Sequence, residues 1–445
     1  MPKRKISNYL LMGRSVNAGL RYSSNDRKGK ARWPRPTVAY RMKEFLTNNL
    51  IAWFVHNWRI KKRTNYPASA GNSIHPMTAK GRSSPLSICI AADWASATPQ
   101  AAYIGRIMGR QAPDYTIHLG DTYYSGLAQE LADNFGDGTT RNPEGLWPRG
   151  KAGSFALLGN HEMFSSGKDF FAMINTPSRR WGIYDPDKAE FAGQPAPFFC
   201  LVAEHWVILG LDTGYDSLQK RWIKRILNRH PNDLNMQIPD LQMQWLKQHP
   251  EIFDPKKGLV LLSHHQYASG FAGEDEFTGP AMQLKELLGD REVIWIWGHE
   301  HRFAMYHKYS GPDGKGITAH GRCIGHGGML DEHLEDRQID PQKAFSRKLK
   351  LYDERQADSF HFDKKTIRVG ANGFARLTIE GDRLQITYWQ AYWNGEGRTK
   401  EYEEAVFTEV WRPDGGTGGV VLVSEGDLTR DGGTGESALS YWPPA

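Results

Sequence analysis

Several residues able to bind a metal ion or carry a proton share one local setting in this 445-residue chain: each closes a short apolar run. Asp93 closes "LSICIAAD", Asp121 closes "DYTIHLGD", and Asn160 with His161 closes "SFALLGNHE". His264 closes "GLVLLSHH", and His299 with His301 closes "EVIWIWGHEH". One aspartate or histidine at such a point is ordinary turn chemistry. Five run ends that all carry oxygen or imidazole donors point to a shared site, because α/β proteins keep their chemistry where strands give way to loops. Carboxylates, an amide oxygen and imidazoles together suit a pair of metal ions about 3.5–4 Å apart, which clamp a phosphoryl group and activate water. A carboxylate can bridge the two ions, while imidazole and amide ligands complete each shell at little cost in charge. The stretch "HLGDTYYSGL" adds Tyr124, three residues beyond Asp121, a tyrosine at a strand-to-loop junction that need not be core.

The elements that must position these residues are legible as periodicity. The five runs, with "HWVILGLDT" and "HGRCIGHGG", read as seven buried strands ending in polar or glycine-rich turns. "TPQAAYIGRIMGR", "IPDLQMQWLKQHP" and "GPAMQLKELLG" read as helices between them, so the spacing predicts a layered α/β domain. Beyond residue 330 the text changes. Residues 331–370 are strongly charged and predict a long excursion. "GFARLTIEGDRLQITYWQAYW" predicts a hairpin turning at Gly381-Asp382, and "EAVFTEVW" a third strand. The Gly/Thr-rich end is expected to be a loosely packed or disordered tail.

Charge is distributed unevenly. Residues 1–85 hold 18 Lys/Arg against 2 Asp/Glu, whereas the remaining 360 hold 38 against 48. A basic arm thus precedes an acidic body, an arrangement suited to anionic partners such as nucleic acid or an anionic membrane surface. Within the arm, residues 37–63 have apolar residues at helical spacing and end in a cationic run, which predicts an amphipathic helix either docked on the body or lying on a membrane surface. Cys89, Cys200 and Cys323 fall in separate runs without metal-type spacing, so they read as core residues of a reducing compartment. The N-terminus lacks the apolar stretch of a signal peptide, and no segment approaches the ~18 apolar residues of a membrane span; the expected location is cytoplasmic.

Taken in order, the motifs "ADWAS", "GDTYYSGLAQ", "LLGNHE", "LLSHH" and "WGHEH" resemble those of calcineurin-like metallophosphoesterases, and within that group the small, tartrate-resistant type of purple acid phosphatase. The likeness covers roughly residues 86–330, with the hairpin as a plausible continuation. It implies a sandwich of two mixed β-sheets flanked by helices, preceded by the basic extension. The expected organisation is an extension over 1–85, a metallophosphoesterase domain over 86–411 (core motifs 86–330, hairpin and strand 374–411) and a tail over 412–445. Carried over residue by residue, it implies one metal held by Asp93, Asp121, Tyr124 and His301. A second would be held by Asp121, Asn160, His264 and His299, with Asp121 bridging. The family pattern implies Fe(III) at the tyrosine site and Fe(II), Zn(II) or Mn(II) at the other. His161 would donate to the phosphate or protonate the leaving group.

This sequence departs from that pattern in places. Ala95 replaces a family glycine, Glu162 the commoner Asp, and His265 adjoins His264 as the alternative ligand. No histidine follows in "HHQYASGFAGEDEF" where the small phosphatases carry a substrate-side one; Glu274 and Asp275 stand there instead. His326 in "GHGGM" either approaches the site or is structural. The resemblance implies hydrolysis of phosphate esters. The alternative is a phosphodiesterase acting on nucleic acid or lipid head groups, with the basic arm as the anion-binding element.

Overall fold

A computed structural model describes residues 63–77, 85–136, 145–217, 236–311, 314–329, 338–360, 366–392, 402–429, 437 and 439–441. The amphipathic stretch expected over 37–63 therefore lies, but for Arg63, outside the described residues.

Two nine-stranded mixed sheets face each other. One runs in the order Ile74–Pro76, Phe199–Val202, Trp206–Leu211, Gly258–Ser263, Glu292–Trp297, Thr318–Ile324, Phe303–Tyr309, Leu349–Tyr352, Ser440–Tyr441. The other runs Val420–Asp427, Tyr402–Pro413, Arg383–Tyr392, Asn372–Glu380, Leu86–Ala91, Tyr115–His118, Gly153–Ala156, Gly182–Asp185, Glu190–Phe191. The strands that end in candidate site residues are parallel neighbours: Leu86–Ala91 with Tyr115–His118 and then Gly153–Ala156, and Gly258–Ser263 with Glu292–Trp297. Parallel pairing is what brings several strand ends to the same edge of the molecule.

The period-two alternation of side chains explains the layering. Ile88, Ile90, Ile117, Phe155, Ile208, Val260, Leu262, Ile294 and Ile296 point between the sheets and form one buried cluster. Their neighbours point outward to helices. Val207, Leu209, Leu261, Val293 and Trp295 pack against Met243, Leu246, Ala281 and Leu284 of the helices Asp240–Gln248 and Thr278–Leu288. Cys89, Ala91 and Ala156 pack against Ile104, Ile107, Leu131 and Phe171 of the helices Pro99–Arg110, Ala128–Phe135 and Lys168–Asn175. Helix, sheet, sheet, helix is the expected layered α/β sandwich, and the three cysteines are buried free thiols.

The hairpin forms at Gly381-Asp382 as expected, between Asn372–Glu380 and Arg383–Tyr392. Its first strand pairs with Leu86–Ala91, which ties it to the centre of its sheet. At both ends the chain departs from expectation. The glycine-rich end supplies Val420–Asp427, an edge strand hydrogen-bonded along Tyr402–Pro413, because "VVLV" has strong strand preference despite its glycine-rich flanks. Before residue 86, Ile74–Pro76 pairs with Phe199–Val202, and Ala70 and Met77 are buried in the core clusters. Part of the extension is thus built into the body.

Candidate metal centre

The strand ends are held in conformations that L-residues avoid. Asp93, Asp121 and His299 have φ of 55°, 70° and 65°, each in the left-handed region that costs roughly 1–2 kcal/mol per residue. Hydrogen bonds fix them there. Asp93 N donates to Gly120 O (3.1 Å), His299 N to Asp93 Oδ2 (2.7 Å), and His161 N to Asp121 Oδ1 (2.9 Å). The Glu162 carboxylate accepts from Gly159 N (2.9 Å) and Asp121 N (3.3 Å), clamping two of the loops together. Two glycines are required by proximity: a Cβ at Gly159 would lie 2.1 Å from Asp121 Oδ1, and one at Gly298 2.6 Å from Asp93 Oδ2.

Inside this frame the side chains converge at two points. Around His264 Nε2 lie Asp121 Oδ1, Asn160 Oδ1 and His299 Nδ1, each at 3.3 Å. Around the Tyr123 hydroxyl lie Asp93 Oδ1 (2.7 Å), His301 Nε2 (2.8 Å) and Asp121 Oδ2 (3.4 Å). At each point four nitrogen or oxygen atoms able to ligate a cation crowd together. A cation at each point accommodates all of them, and Asp121 gives one oxygen to each. Asp93, Asp121 and His264 each place a ligand atom within 4.8 Å of the others, as do His264, His265 and His299. The donor set therefore fits a pair of metal ions. His264 Nδ1 lies 3.0 Å from Leu119 O, which leaves Nε2 at the first convergence.

The hydroxyl at the second convergence belongs to Tyr123, whereas the motif pointed to Tyr124. Tyr123 N donates to Ala95 O, and the Glu130 carboxylate accepts from the main-chain N–H groups of Tyr124, Ser125 and Leu127. This loop geometry aims Tyr123 at the carboxylates. Tyr124 is buried in a small cluster with Ala97, Tyr123 and Met329, and its carbonyl lies 2.7 Å from His161 Nδ1. Spacing alone cannot distinguish adjacent tyrosines in "TYYS".

The electrostatics are those of a charged, water-poor site. Burial would raise Asp93 and Asp121, but the His301 hydrogen bond with the nearby His264 charge for Asp93, and the His264 and His161 charges for Asp121, hold both below the usual carboxylate range. Burial opposes protonation of His264, yet the Asp121 charge and hydrogen bond outweigh it and raise this imidazole to about 9. Burial, with the His264 charge, lowers His299 to about 4. Burial lowers His161, and burial followed by the charges of Asp93 and Asp121 raises the Tyr123 phenol well above its ordinary value. Glu162 is pushed up to about 7 by burial and then by Asp121.

His161 borders the second convergence: its ring lies 4.4 Å from that of Tyr123, and Nε2 is 3.7 Å from Asp121 Oδ2. Glu274 is ion-paired with Arg302 (3.3 Å), and Asp275 accepts from Gln266 through its main-chain carbonyl. His326 stacks on Phe303 beneath the Asn372–Glu380 strand, where its carbonyl accepts from Asn372 and Gly373, a structural role. Glu162 is a contributor whose signal in the sequence is its place three residues after Gly159, a capping spacing.

Two carboxylates, an amide and three imidazoles thus stand together at the strand ends of the sandwich. Residues 86–303 match the family model for calcineurin-like phosphoesterases. Comparison with curated protein sequences finds no match. Among solved structures the chain is similar to a purple acid phosphatase from yellow lupin (Lupinus luteus) seeds, at 14% identity and a TM-score of 0.40 over 73% of this chain and 53% of that one. It spans only about half of the lupin protein's length. It is also similar to PhoD, at 11% identity and a TM-score of 0.42 over 77% of this chain and 72% of the other. A dimetal phosphatase from Danio rerio shows 13% identity and a TM-score of 0.36, over 72% of this chain and 99% of that one.

Proposed function

We propose that the protein hydrolyses phosphate esters at a dinuclear centre of the purple acid phosphatase kind. The observation that carries this reading is the paired convergence of donors on either side of Asp121. One ion is assigned to Asp93, Asp121, His301 and a tyrosine oxygen, which the geometry favours as that of Tyr123 over Tyr124. The other is assigned to Asp121, Asn160, His264 and His299. When bound, such a pair polarises a phosphoryl oxygen and provides a nucleophile at neutral pH. A phenolate ligand favours a hard trivalent ion, so the first is assigned as Fe(III), and the second as Fe(II), Zn(II) or Mn(II). His161 Nδ1 faces the Tyr124 carbonyl, which turns Nε2 toward the centre; protonated there, it donates to the leaving oxygen. Glu162 orients the loops that carry Asp121 and Asn160 without touching substrate.

A second reading is a phosphodiesterase on nucleic acid or lipid head groups, favoured by the 18 basic residues before position 86. The test is metal analysis and an absorption spectrum of purified protein, followed by a panel of phosphomonoesters and phosphodiesters on the same sample. Turnover of neither class by metal-replete protein refutes hydrolysis. Diester turnover that falls with added salt favours the second reading.

A further inference from the structure

Asp212 follows the strand Trp206–Leu211 and is wholly buried, yet it takes no part in the two convergences. Its Oδ1 accepts from Gly214 N (3.0 Å) and Tyr215 N (2.9 Å) of its own loop. Its Oδ2 accepts from the Tyr66 hydroxyl (2.5 Å), which belongs to a distant segment of the chain. Around this bond residues 63–67 form a strap fastened to two loops. Arg63 pairs with Asp216, donates to Tyr215 O and lies over the Tyr215 ring at 4.5 Å. The Tyr215 hydroxyl donates to Thr64 O (2.9 Å). Thr64 N donates to Ser166 O (3.1 Å), on the loop that follows the short helix Asn160–Met163. The Tyr66 ring lies among Phe171, Phe198 and Tyr215, with centroids 5.7, 5.9 and 4.6 Å away.

The strap thus closes over a carboxyl group where water does not reach. The groups facing Asp212 are Tyr66 of the strap, Tyr215 and Asp216 of its own loop, and the neutral Gln242 of the helix Asp240–Gln248, which accepts its main-chain N–H (3.0 Å). Arg63 is paired with Asp216. Burial outweighs the hydrogen bonds from Tyr66 and Tyr215 and, with the Asp216 charge, pushes Asp212 up to about 7. A carboxyl whose value is higher when enclosed than when hydrated favours the closed form while it is protonated. That contribution is lost as pH rises from the ordinary 3.8 toward 7. The strap is the element able to yield. The strand and helix on the other sides of Asp212 belong to a core cluster. The strap, by contrast, is held at Tyr66 and again at Gly71, whose carbonyl accepts from Trp245 Nε1 (3.2 Å), before the chain joins the sheet at Ile74–Pro76. Segments with few buried bonds open first.

We propose that the Tyr66–Asp212 clasp is a pH-sensitive latch: loss of the Asp212 proton loosens the strap from the Asp212 and Ser166 loops, and with it the root of the basic arm. The latch does not depend on the hydrolytic reading, and its test does not use turnover. Amide hydrogen exchange at Thr64, Gly214 and Tyr215 is followed from pH 4 to pH 8 in full-length wild type and Asp212→Asn, each rate corrected for intrinsic exchange at that pH. Amides of the strands Leu86–Ala91 and Gly258–Ser263 are the reference. In wild type the three amides should lose protection by about tenfold per pH unit up to about 7 and level off above it, the response to one proton. The reference strands should not follow, and Asp212→Asn should show no such slope. Tyr66→Phe should exchange faster at every pH and level off at a higher pH, because the phenol hydrogen bond favours the charged carboxylate. Protection at Thr64 that does not change with pH in wild type overturns the proposal, even if Gly214 and Tyr215 respond. An equal slope in Asp212→Asn overturns it too, as does a parallel loss in the reference strands, which is global unfolding. Should Asp212→Asn fail to fold, Tyr66→Phe decides, and an unmoved levelling point overturns the latch.

Discussion

Asp121 divides its carboxylate between two clusters, Oδ1 toward His264 and Oδ2 toward Tyr123, and the residue-scale predictions follow from that division. Asp121→Asn is expected to lose bound metal together with turnover, because a neutral amide cannot bridge two cations. His161→Ala is expected to keep the metal and lose roughly 10²–10⁴ in rate, the range for general acid catalysis. Equal metal loss in both, by elemental analysis, would contradict the separation of roles. The adjacent tyrosines are separable too. In iron-loaded protein, Tyr123→Phe should remove the visible charge-transfer band and Tyr124→Phe should keep it; the opposite outcome restores the spacing-based choice. Metal uptake is also linked to protons. His264 is raised to about 9 in the metal-free site, so at neutral pH it holds a proton that a metal must displace. Loading at pH 7 should release about one proton from this residue, and the release should fade as pH passes 9. Calorimetry in buffers of different ionisation enthalpy reads it, and His264→Ala should abolish that component.

Among the elements, parallel strands set where the donors stand, and a buried ion pair joins the two sheets. Arg322 on Thr318–Ile324 donates to both oxygens of Glu409 on Tyr402–Pro413, at 2.8 and 2.6 Å. Tyr388 donates to Glu409 Oε1 (2.6 Å), and Arg322 also donates to Tyr306 O (2.8 Å). Arg322→Met leaves Glu409 charged without its partner inside the protein, and should cost about 3–5 kcal/mol of stability by denaturant unfolding. The pair also gives stability a pH dependence. Burial alone would raise Glu409, but the Arg322 charge and hydrogen bonds hold it below its ordinary 4.5. Its contribution is therefore complete above that value and is lost as pH falls through the lower folded one. The acid limb of the wild-type unfolding profile should flatten in a Glu409→Gln variant; an unchanged limb would assign it to other carboxylates.

For the molecule as a whole, the body begins before the family-matched stretch. Tyr66 is bonded to Asp212, Ile74–Pro76 extends a sheet, and Met77 is buried between the sheets. Removing residues 1–77 should lower thermal stability more than removing 1–62, because the longer deletion also strips the Ile74–Pro76 strand and the buried Ala70 and Met77 from the body. Identical melting curves would make Arg63–Met77 dispensable. The residues before Arg63 carry 15 Lys/Arg against 2 Asp/Glu. If they serve an anionic surface, the shorter deletion should abolish salt-dependent binding to nucleic acid or anionic vesicles while sparing hydrolysis of a small ester. Binding that survives the deletion would place the contact on the acidic body instead.

The sequence by itself determined the α/β layering, the strand ends that carry chemistry and the residue types that meet there. Each depends on local pattern: alternation within a run, a turn after it, a donor at the turn. Asp93, Asp121, Asn160, His264, His299 and His301 were legible for that reason, and so was the turn at Gly381-Asp382. Tertiary structure decided what depends on direction and on partners distant in sequence. Tyr123 rather than Tyr124 faces the carboxylates because Glu130 and Ala95 fix the loop between them. His264 meets Asp121 through Nε2 because Leu119 O turns its ring. The glycine-rich end became an edge strand because a long neighbouring strand was there to pair with it. Residues 63–77 joined the body because Asp212 and the Phe199–Val202 strand receive them. Spacing brings a donor to a strand end, but the atom it presents there is fixed by contacts from elsewhere in the chain.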